Sequence, residues 1–192
     1  MRLLDPPVPL GVTHGGVEVF VNRNDDKASE RTHRVRGVYT GERWQCVELA
    51  RRYLVVNMGV SFKDVDNACD IFRRAEEPGF FFAVRKNGLA VTARAFANVA
   101  SSSPIRPSPR IADLVVWAPK GDFAGTGHVA VIVGLPPGGK HVQIAEQNAP
   151  KPRRWTAGHP YSRRLRLGAD GRLSPAPGRN ETLMGRIALS LT

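Results

Sequence analysis

Asp113-Leu114-Val115-Val116-Trp117, His128-Val129-Ala130-Val131-Ile132-Val133-Gly134-Leu135 and Val142-Gln143-Ile144-Ala145-Glu146 decide the fold. Rich in β-branched residues and separated by Gly and Pro, the three runs predict consecutive antiparallel strands, the last two joined by a hairpin through Pro136 to His141. Upstream, Cys46 to Gly59 places Val47, Ala50, Leu54 and Met58 at helical spacing, with Gly59 as a natural stop, and predicts an amphipathic helix. Further helices are expected over Val65 to Arg74 and over Thr92 to Ala100, where Ser101-Ser102-Ser103-Pro104 breaks the pattern. Val17 to Val21 and Val38-Tyr39 read as ordered pieces divided by a polar surface loop from Asn22 to Gly37. Helices first and strands second give an α+β class, a helix packed on an antiparallel sheet.

The chain has 192 residues, 42% of them hydrophobic and 23% charged. That suits one globular domain over 1–192 and excludes a disordered tail; no internal repeat or boundary argues for a second domain. Lys and Arg number 28 against 17 Asp and Glu, a formal charge of +11 that by itself suggests an anionic partner such as nucleic acid or an acidic membrane surface. Nine of the 36 residues from Lys151 to Arg186 are Lys or Arg, although Trp155, Tyr161 and Leu165 there suggest packing. Two cysteines make no disulfide framework and point to a reducing compartment. The N-terminus has no apolar core of signal-peptide length, and no run approaches the about 18 apolar residues of a membrane span. A soluble cytoplasmic protein is the expectation.

Cys46 opens the first helix, where unpaired N–H groups and the helix dipole favour a thiolate; the competing reading is a buried structural thiol. Cys69, in an apparent helix interior, reads as structural. A thiolate nucleophile needs a base, and the base needs an orienting group on its other nitrogen. His128 opens an apolar strand directly after Gly125-Thr126-Gly127 and is the candidate base. On the next strand Glu146 and Asn148 share a face near its open end, and either could orient the imidazole. Glu146 follows Ile144 and Ala145, where a carboxylate needs a strong partner to be buried, and an imidazolium would supply one. His14, His33, His141 and His159 read as solvated residues of loops, turn and basic stretch. Metal binding is not expected, since Cys-x-x-Cys, His-x-x-x-His and Asp-rich patterns are missing. Pro136-Pro137-Gly138-Gly139-Lys140 lies between two strands, so it is a hairpin turn and not a phosphate loop.

Three strings together, Tyr39-Thr40-Gly41-Glu42-Arg43-Trp44-Gln45-Cys46-Val47-Glu48-Leu49-Ala50-Arg51-Arg52, Thr126-Gly127-His128-Val129-Ala130-Val131-Ile132 and Ile144-Ala145-Glu146-Gln147-Asn148, resemble the CHAP family of cysteine, histidine-dependent amidohydrolases/peptidases. Within it the likeness is to the amidase domain of glutathionylspermidine and trypanothione synthetase/amidases. It runs from Pro9-Leu10-Gly11 through Tyr161-Ser162-Arg163 and on to Leu183-Met184-Gly185. The resemblance implies a papain-like CHAP/NlpC-type fold with Cys46 as nucleophile, His128 as general base and Glu146 as the orienting residue. It also implies that Gln45, Arg51 and Asn148 bind substrate or build the site, and that Val65, Asp66, Asn67 and Ala68 line it.

The implied substrate is a small-molecule glutathione–polyamine conjugate, cleaved at the glycine–spermidine amide through a glutathionyl thioester, without a cofactor. Arg51 would meet a glutathione carboxylate or sit solvated on the helix face; Glu48, Asp64 or Asp66 would offset the repulsion between a cationic protein and a cationic polyamine. An ATP-dependent synthetase domain is not expected in this length, which makes a separate synthetase a candidate partner. Two positions depart from the family pattern: Ala112, where glycine is usual, and Arg186, where an aromatic is common. The competing functions are a CHAP-type peptidoglycan endopeptidase and a catalytically idle member of the fold that binds nucleic acid or another anion.

Overall fold

A computed structural model describes residues 7–22, 32–84, 89–99, 106–150 and 155–192. In chain order the elements are β1 (Pro9–Val12), β2 (Glu18–Phe20), β3 (Thr32–Val35), β4 (Val38–Glu42), α1 (Cys46–Met58), β5 (Val60–Phe62), α2 (Asp70–Arg73), β6 (Phe81–Ala83), β7 (Val91–Ala97), β8 (Leu114–Trp117), β9 (His128–Gly134), β10 (His141–Ala145), β11 (Arg163–Leu167), β12 (Leu173–Ser174) and β13 (Leu183–Leu191). Seven strands form an antiparallel sheet in the order β12-β11-β10-β9-β8-β13-β7; the other strands pair as three ribbons, β1–β2, β3–β4 and β5–β6, of which β3, β4 and β5 pack against α1. The result is the expected α+β architecture, a helix packed on an antiparallel sheet.

The three apolar runs form the middle of that sheet. Trp117 pairs with His128, Leu114 with Val131 and Ile144 with Ile132, all antiparallel. Period-two alternation then sorts their side chains onto two cores. Leu114, Val116, Val129, Val131 and Val133 face α1, whose Leu49, Ala50, Tyr53 and Leu54 pack on them. Val115, Trp117, Ala130, Ile132, Ile144 and Leu165 form a second core on the other face. Each fully buried Ile or Leu among them contributes about 1.5–3 kcal/mol from desolvation.

Helix α1 ends as its sequence dictates. Gly59 adopts φ 64° and donates its N–H to the Leu54 carbonyl, a left-handed cap that is unstrained in glycine. Its burial is less one-sided than an amphipathic helix predicts, because Glu48, Arg51 and Arg52 are buried beside Leu49 and Leu54. The ribbons β1–β2 and β3–β4 cover the face that would otherwise meet water.

Four local expectations are corrected. Val91–Ala97 is a strand and not a helix: it pairs along its whole length with β13, and the small residues Ala93 and Ala95 fit that close pairing. Between Val65 and Arg74 only Asp70–Arg73 is helical, because the Cys69 N–H is spent on the Thr126 carbonyl 3.2 Å away. Part of the presumed loop from Asn22 to Gly37 is strand β3, joined to β4 by Arg36 and Gly37, both at positive φ; its residues 23–31 lie outside the described residues. Strands β1 to β4 precede α1, so helices do not simply come first.

The two departures from the family pattern meet in one place. Ala112 holds φ 73°, a conformation that favours glycine, and it is braced by its N–H to the Ile132 carbonyl at 2.9 Å. Next to it the Asp113 carboxylate accepts from Arg186 and from the Arg110 N–H, while the Arg186 guanidinium lies 4.7 Å over the Phe96 ring. Arg186 is thus a buried, paired cation of the scaffold, remote from α1 on the outer face of β13.

Candidate active site

The end of α1 and the facing ends of β9 and β10 bring three predicted residues together. Cys46 is the first residue of α1, preceded by Gln45 in extended conformation, so the chain enters the helix with the thiol at its N-terminus. His128 is the first residue of β9, 1% exposed. Its position depends on Gly127, whose φ of 71° suits glycine and whose absent Cβ would lie 2.5 Å from the Trp117 carbonyl and 3.0 Å from the Cys69 Cβ. Glu146 follows β10 directly, and its Oε2 lies 3.3 Å from His128 Nε2. The sequence left Glu146 and Asn148 as alternatives; it is Glu146 that meets the imidazole. Asn148, exposed and at φ 55°, donates instead to Gln45 Oε1 at 2.5 Å.

The electrostatics couple these groups. Burial alone would raise the Cys46 pKa, but the His128 charge and hydrogen bond, with the Val129 and Val47 N–H groups, lower it below the ordinary value. Burial opposes the imidazolium too, yet Cys46 and then Glu146 outweigh it and raise His128 to about 9. Glu146 is pushed up by burial and pulled down further by His128 and by Arg163, to about 2. With Nε2 given to Glu146, the ring offers Nδ1 to the thiol. Phe123 stacks on the imidazole at 4.2 Å with the planes parallel, and Trp117 flanks it at 5.3 Å. These rings keep one side of the base dry and fix its plane.

Glu48, fully buried one half-turn into α1, binds Arg52 Nε at 2.7 Å, His33 Nδ1 at 2.8 Å and Gln147 Nε2 at 3.0 Å. Burying this carboxylate is tolerable only because it is so fully paired; His33 and Arg52 hold its pKa low against the upward push of burial. His33 is therefore not the solvated loop residue expected, and Glu48 does not project its charge into solvent. Gln147 also donates to the Gln45 carbonyl at 3.2 Å and accepts from the Phe20 N–H at 2.9 Å. Placed between Glu146 and Asn148, it ties the end of β10 to the start of α1. No single motif in the sequence announces this network.

A cleft of about 430 Å³ opens over Cys46. Gln45, Arg51, Val65, Asp66 and Ala68 line it, together with Tyr39, Glu42 and Asp64; Asn67 and Asn148 are not among its lining residues. Arg51 is 1% exposed rather than solvated: it donates to the Thr40 carbonyl at 3.0 Å and to Asp64 Oδ1 at 3.1 Å, and lies 4.5 Å over Phe62. Three carboxylates, Glu42, Asp64 and Asp66, thus face one arginine, a net acidic lining in a strongly basic protein. A larger cleft of about 670 Å³, at the β7–β13 end beside Arg94, Arg110 and Arg186, is lined by neither cysteine nor histidine.

A helix-borne thiol facing an imidazole on an antiparallel sheet is the arrangement from which thiol hydrolases work. The chain belongs to the CHAP domain family, whose model matches residues 37–148, a span that contains Cys46, His128 and Glu146. It is 34% identical over 160 residues to the bifunctional glutathionylspermidine synthetase/amidase of Escherichia coli (strain K12), covering 77% of this chain and 24% of that protein. It is 28% identical over 155 residues to the trypanothione synthetase of Crithidia fasciculata, covering 81% of this chain and 22% of that protein, and 30% identical over 175 residues to its glutathionylspermidine synthase, covering 82% and 23%. The chain therefore spans about a quarter of the length of these relatives. Family and relatives together support an amidase-type, hydrolytic function. Among the described residues no helix is long and apolar enough to cross a membrane.

Proposed function

We propose that the protein is a cysteine amidase that cleaves the amide between the glycine carboxyl of glutathione and a polyamine nitrogen, as in glutathionylspermidine or trypanothione. The observation that carries the reading is the Cys46 thiol, paired with the buried His128, in the wall of a cleft with a net acidic lining. A polyamine arm is multiply cationic, and Glu42, Asp64 and Asp66 suit it despite the overall charge of +11. The E. coli relative, by its name both synthetase and amidase for glutathionylspermidine, supports the same substrate.

In this mechanism Cys46 Sγ attacks the glycine carbonyl carbon. The oxyanion that forms is held by the Cys46 N–H, which as the first of its helix has no intrahelical acceptor, and by Gln45 Nε2, left as a donor because Gln45 Oε1 accepts from Asn148. His128 gives its proton to the departing amine, and the C–N bond breaks to leave a glutathionyl thioester on Cys46. His128 then takes a proton from water, which attacks the thioester and releases glutathione and the thiolate. Glu146 holds the imidazole in the tautomer that this exchange needs.

Purified protein incubated with glutathionylspermidine is expected to release spermidine and glutathione. Cys46→Ala is expected to reduce release by about 10³-fold or more while its circular dichroism and melting temperature stay near wild type. No release by folded wild type would overturn the proposal, and so would clearing of a peptidoglycan suspension without turnover of the conjugate.

A further inference from the structure

Behind Glu146 the chain of alternating charge continues. Arg163, the first residue of β11 and the register partner of Ile144, donates Nε to Glu146 Oε1 at 2.7 Å and Nη2 to Oε2 at 3.2 Å. Its Nη1 donates to both oxygens of Glu181, at 2.8 and 3.0 Å, and the Trp117 indole N–H donates to Glu181 Oε2 at 3.1 Å. The guanidinium lies 5.3 Å over the Trp117 ring, which itself flanks His128. The Glu181 side chain is 1% exposed and that of Arg163 only 15%. Imidazole, carboxylate, guanidinium, carboxylate and indole thus close into a loop.

We propose that Arg163, anchored by Glu181, is a positioning residue that grips both oxygens of Glu146 and presents the carboxylate to His128 Nε2 in one orientation. The proposal rests on the reading of Cys46, His128 and Glu146 as the reacting and orienting groups. The Glu146 contact to His128, 3.3 Å, is longer than the 2.7 Å contact to Arg163, so the guanidinium and not the imidazole fixes where the carboxylate points. A fork of parallel N–H donors holds both oxygens at once, which a lysine ammonium does not. Burying the guanidinium is costly unless its remaining donors find acceptors, and Glu181 accepts from Nη1 with both oxygens. The groups facing Glu146 are then His128 from β9 and Arg163 from β11; Cys46 from α1 lies beyond the imidazole, and Glu181 and Arg179 lie beyond the guanidinium. One arginine of the basic C-terminal stretch thus contacts the orienting carboxylate directly.

Iodoacetamide alkylation of Cys46 against pH reads the thiolate–imidazolium pair without any substrate. In Arg163→Met the acid limb is expected to move up by about one unit, a tenfold slower alkylation at pH 6. Arg163→Lys is expected to recover part of that shift, and Glu181→Gln to show a smaller shift in the same direction. In turnover of the conjugate, kcat falls in each variant and KM stays within about twofold of wild type. An unchanged alkylation profile in Arg163→Met, or Arg163→Lys no better than Met, overturns the proposal. Should Arg163→Met not fold, the Lys and Glu181→Gln variants decide in the same way. Wild type that alkylates at low pH yet leaves the conjugate intact refutes the substrate reading, and the alkylation profiles still judge Arg163.

Discussion

Cys46 and Cys69 are both buried thiols at the N-terminal end of a helix, yet one pKa is lowered and the other raised. The helices differ, α1 running 13 residues and α2 only 4, but the neighbours differ more. Against Cys46 stands an imidazole kept protonated by the thiolate itself and then by Glu146, and two N–H groups reach the sulfur. At Cys69 burial raises the pKa and Asp70, whose Oδ1 lies 3.9 Å from Sγ, adds to it; Arg73 opposes them but is itself engaged by Asp70 at 2.7 Å. The difference teaches that a helix end does not activate a thiol by itself. At Cys46 an imidazolium hydrogen-bonded to the sulfur outweighs burial, whereas at Cys69 the Arg73 charge does not.

The largest break in that comparison is to take the cation from Cys46. In His128→Ala the thiol faces burial without its main counter-charge, so its alkylation at pH 6 is expected to slow about tenfold for each unit its pKa climbs, and turnover is expected to vanish. The pH dependence of iodoacetamide labelling, followed by mass spectrometry of the Cys46 peptide, checks this. Labelling of His128→Ala with the wild-type profile would show that the helix end alone is enough.

Glu146→Gln is the next step down. The imidazole loses the charge behind it, so the alkaline limb of activity, set in wild type near a His128 pKa of about 9, is expected to fall toward the ordinary 6.5, with about a 10²-fold loss of kcat. The same variant tests stability. Because Glu146 goes from 4.5 to about 2 on folding, the native chain binds fewer protons than the unfolded one in that range. Its contribution is present above about 4.5 and disappears as pH falls to about 2. Denaturant unfolding across that window is expected to fall more steeply for wild type than for Glu146→Gln.

The smallest effects belong to the other thiol. Asp70→Asn removes a charge that raises the Cys69 pKa, so that thiol is expected to label at a slightly lower pH while turnover is unchanged. Cys69→Ala is expected to cost about 1 kcal/mol of stability and no activity, since its main-chain bond to Thr126 survives the change. Loss of turnover in Cys69→Ala would erase the distinction between the two cysteines.

Sequence alone made the centre of the molecule legible. The runs around Val115, Ile132 and Ile144 are continuous enough to be read as paired strands, Gly59 marks its helix end, and Cys46, His128 and Glu146 each break a local pattern in a way that demands a partner. What escaped depends on partners far along the chain. Val91–Ala97 carries helix-forming alanines, and only its pairing with β13 makes it a strand. The β3–β4 turn uses Arg36 where Asn or Gly would have signalled a hairpin. Arg51 and Glu48 sit on a helix where charge reads as solvated, and Thr40, His33 and Gln147 from other segments make their burial possible. Arg163 and Glu181 are 18 residues apart with no motif between them, and nothing short of the folded sheet brings both to Glu146 and Trp117.

Acid-quenched mass spectrometry during turnover of glutathionylspermidine tests the central claim most directly. A glutathionyl adduct is expected on the Cys46 peptide, lighter than a mixed disulfide by one oxygen atom and cleaved by hydroxylamine as a thioester is, and it is expected to be missing from Cys46→Ala. Steady release of spermidine with Cys46 unmodified, or with the adduct on Cys69, would contradict it.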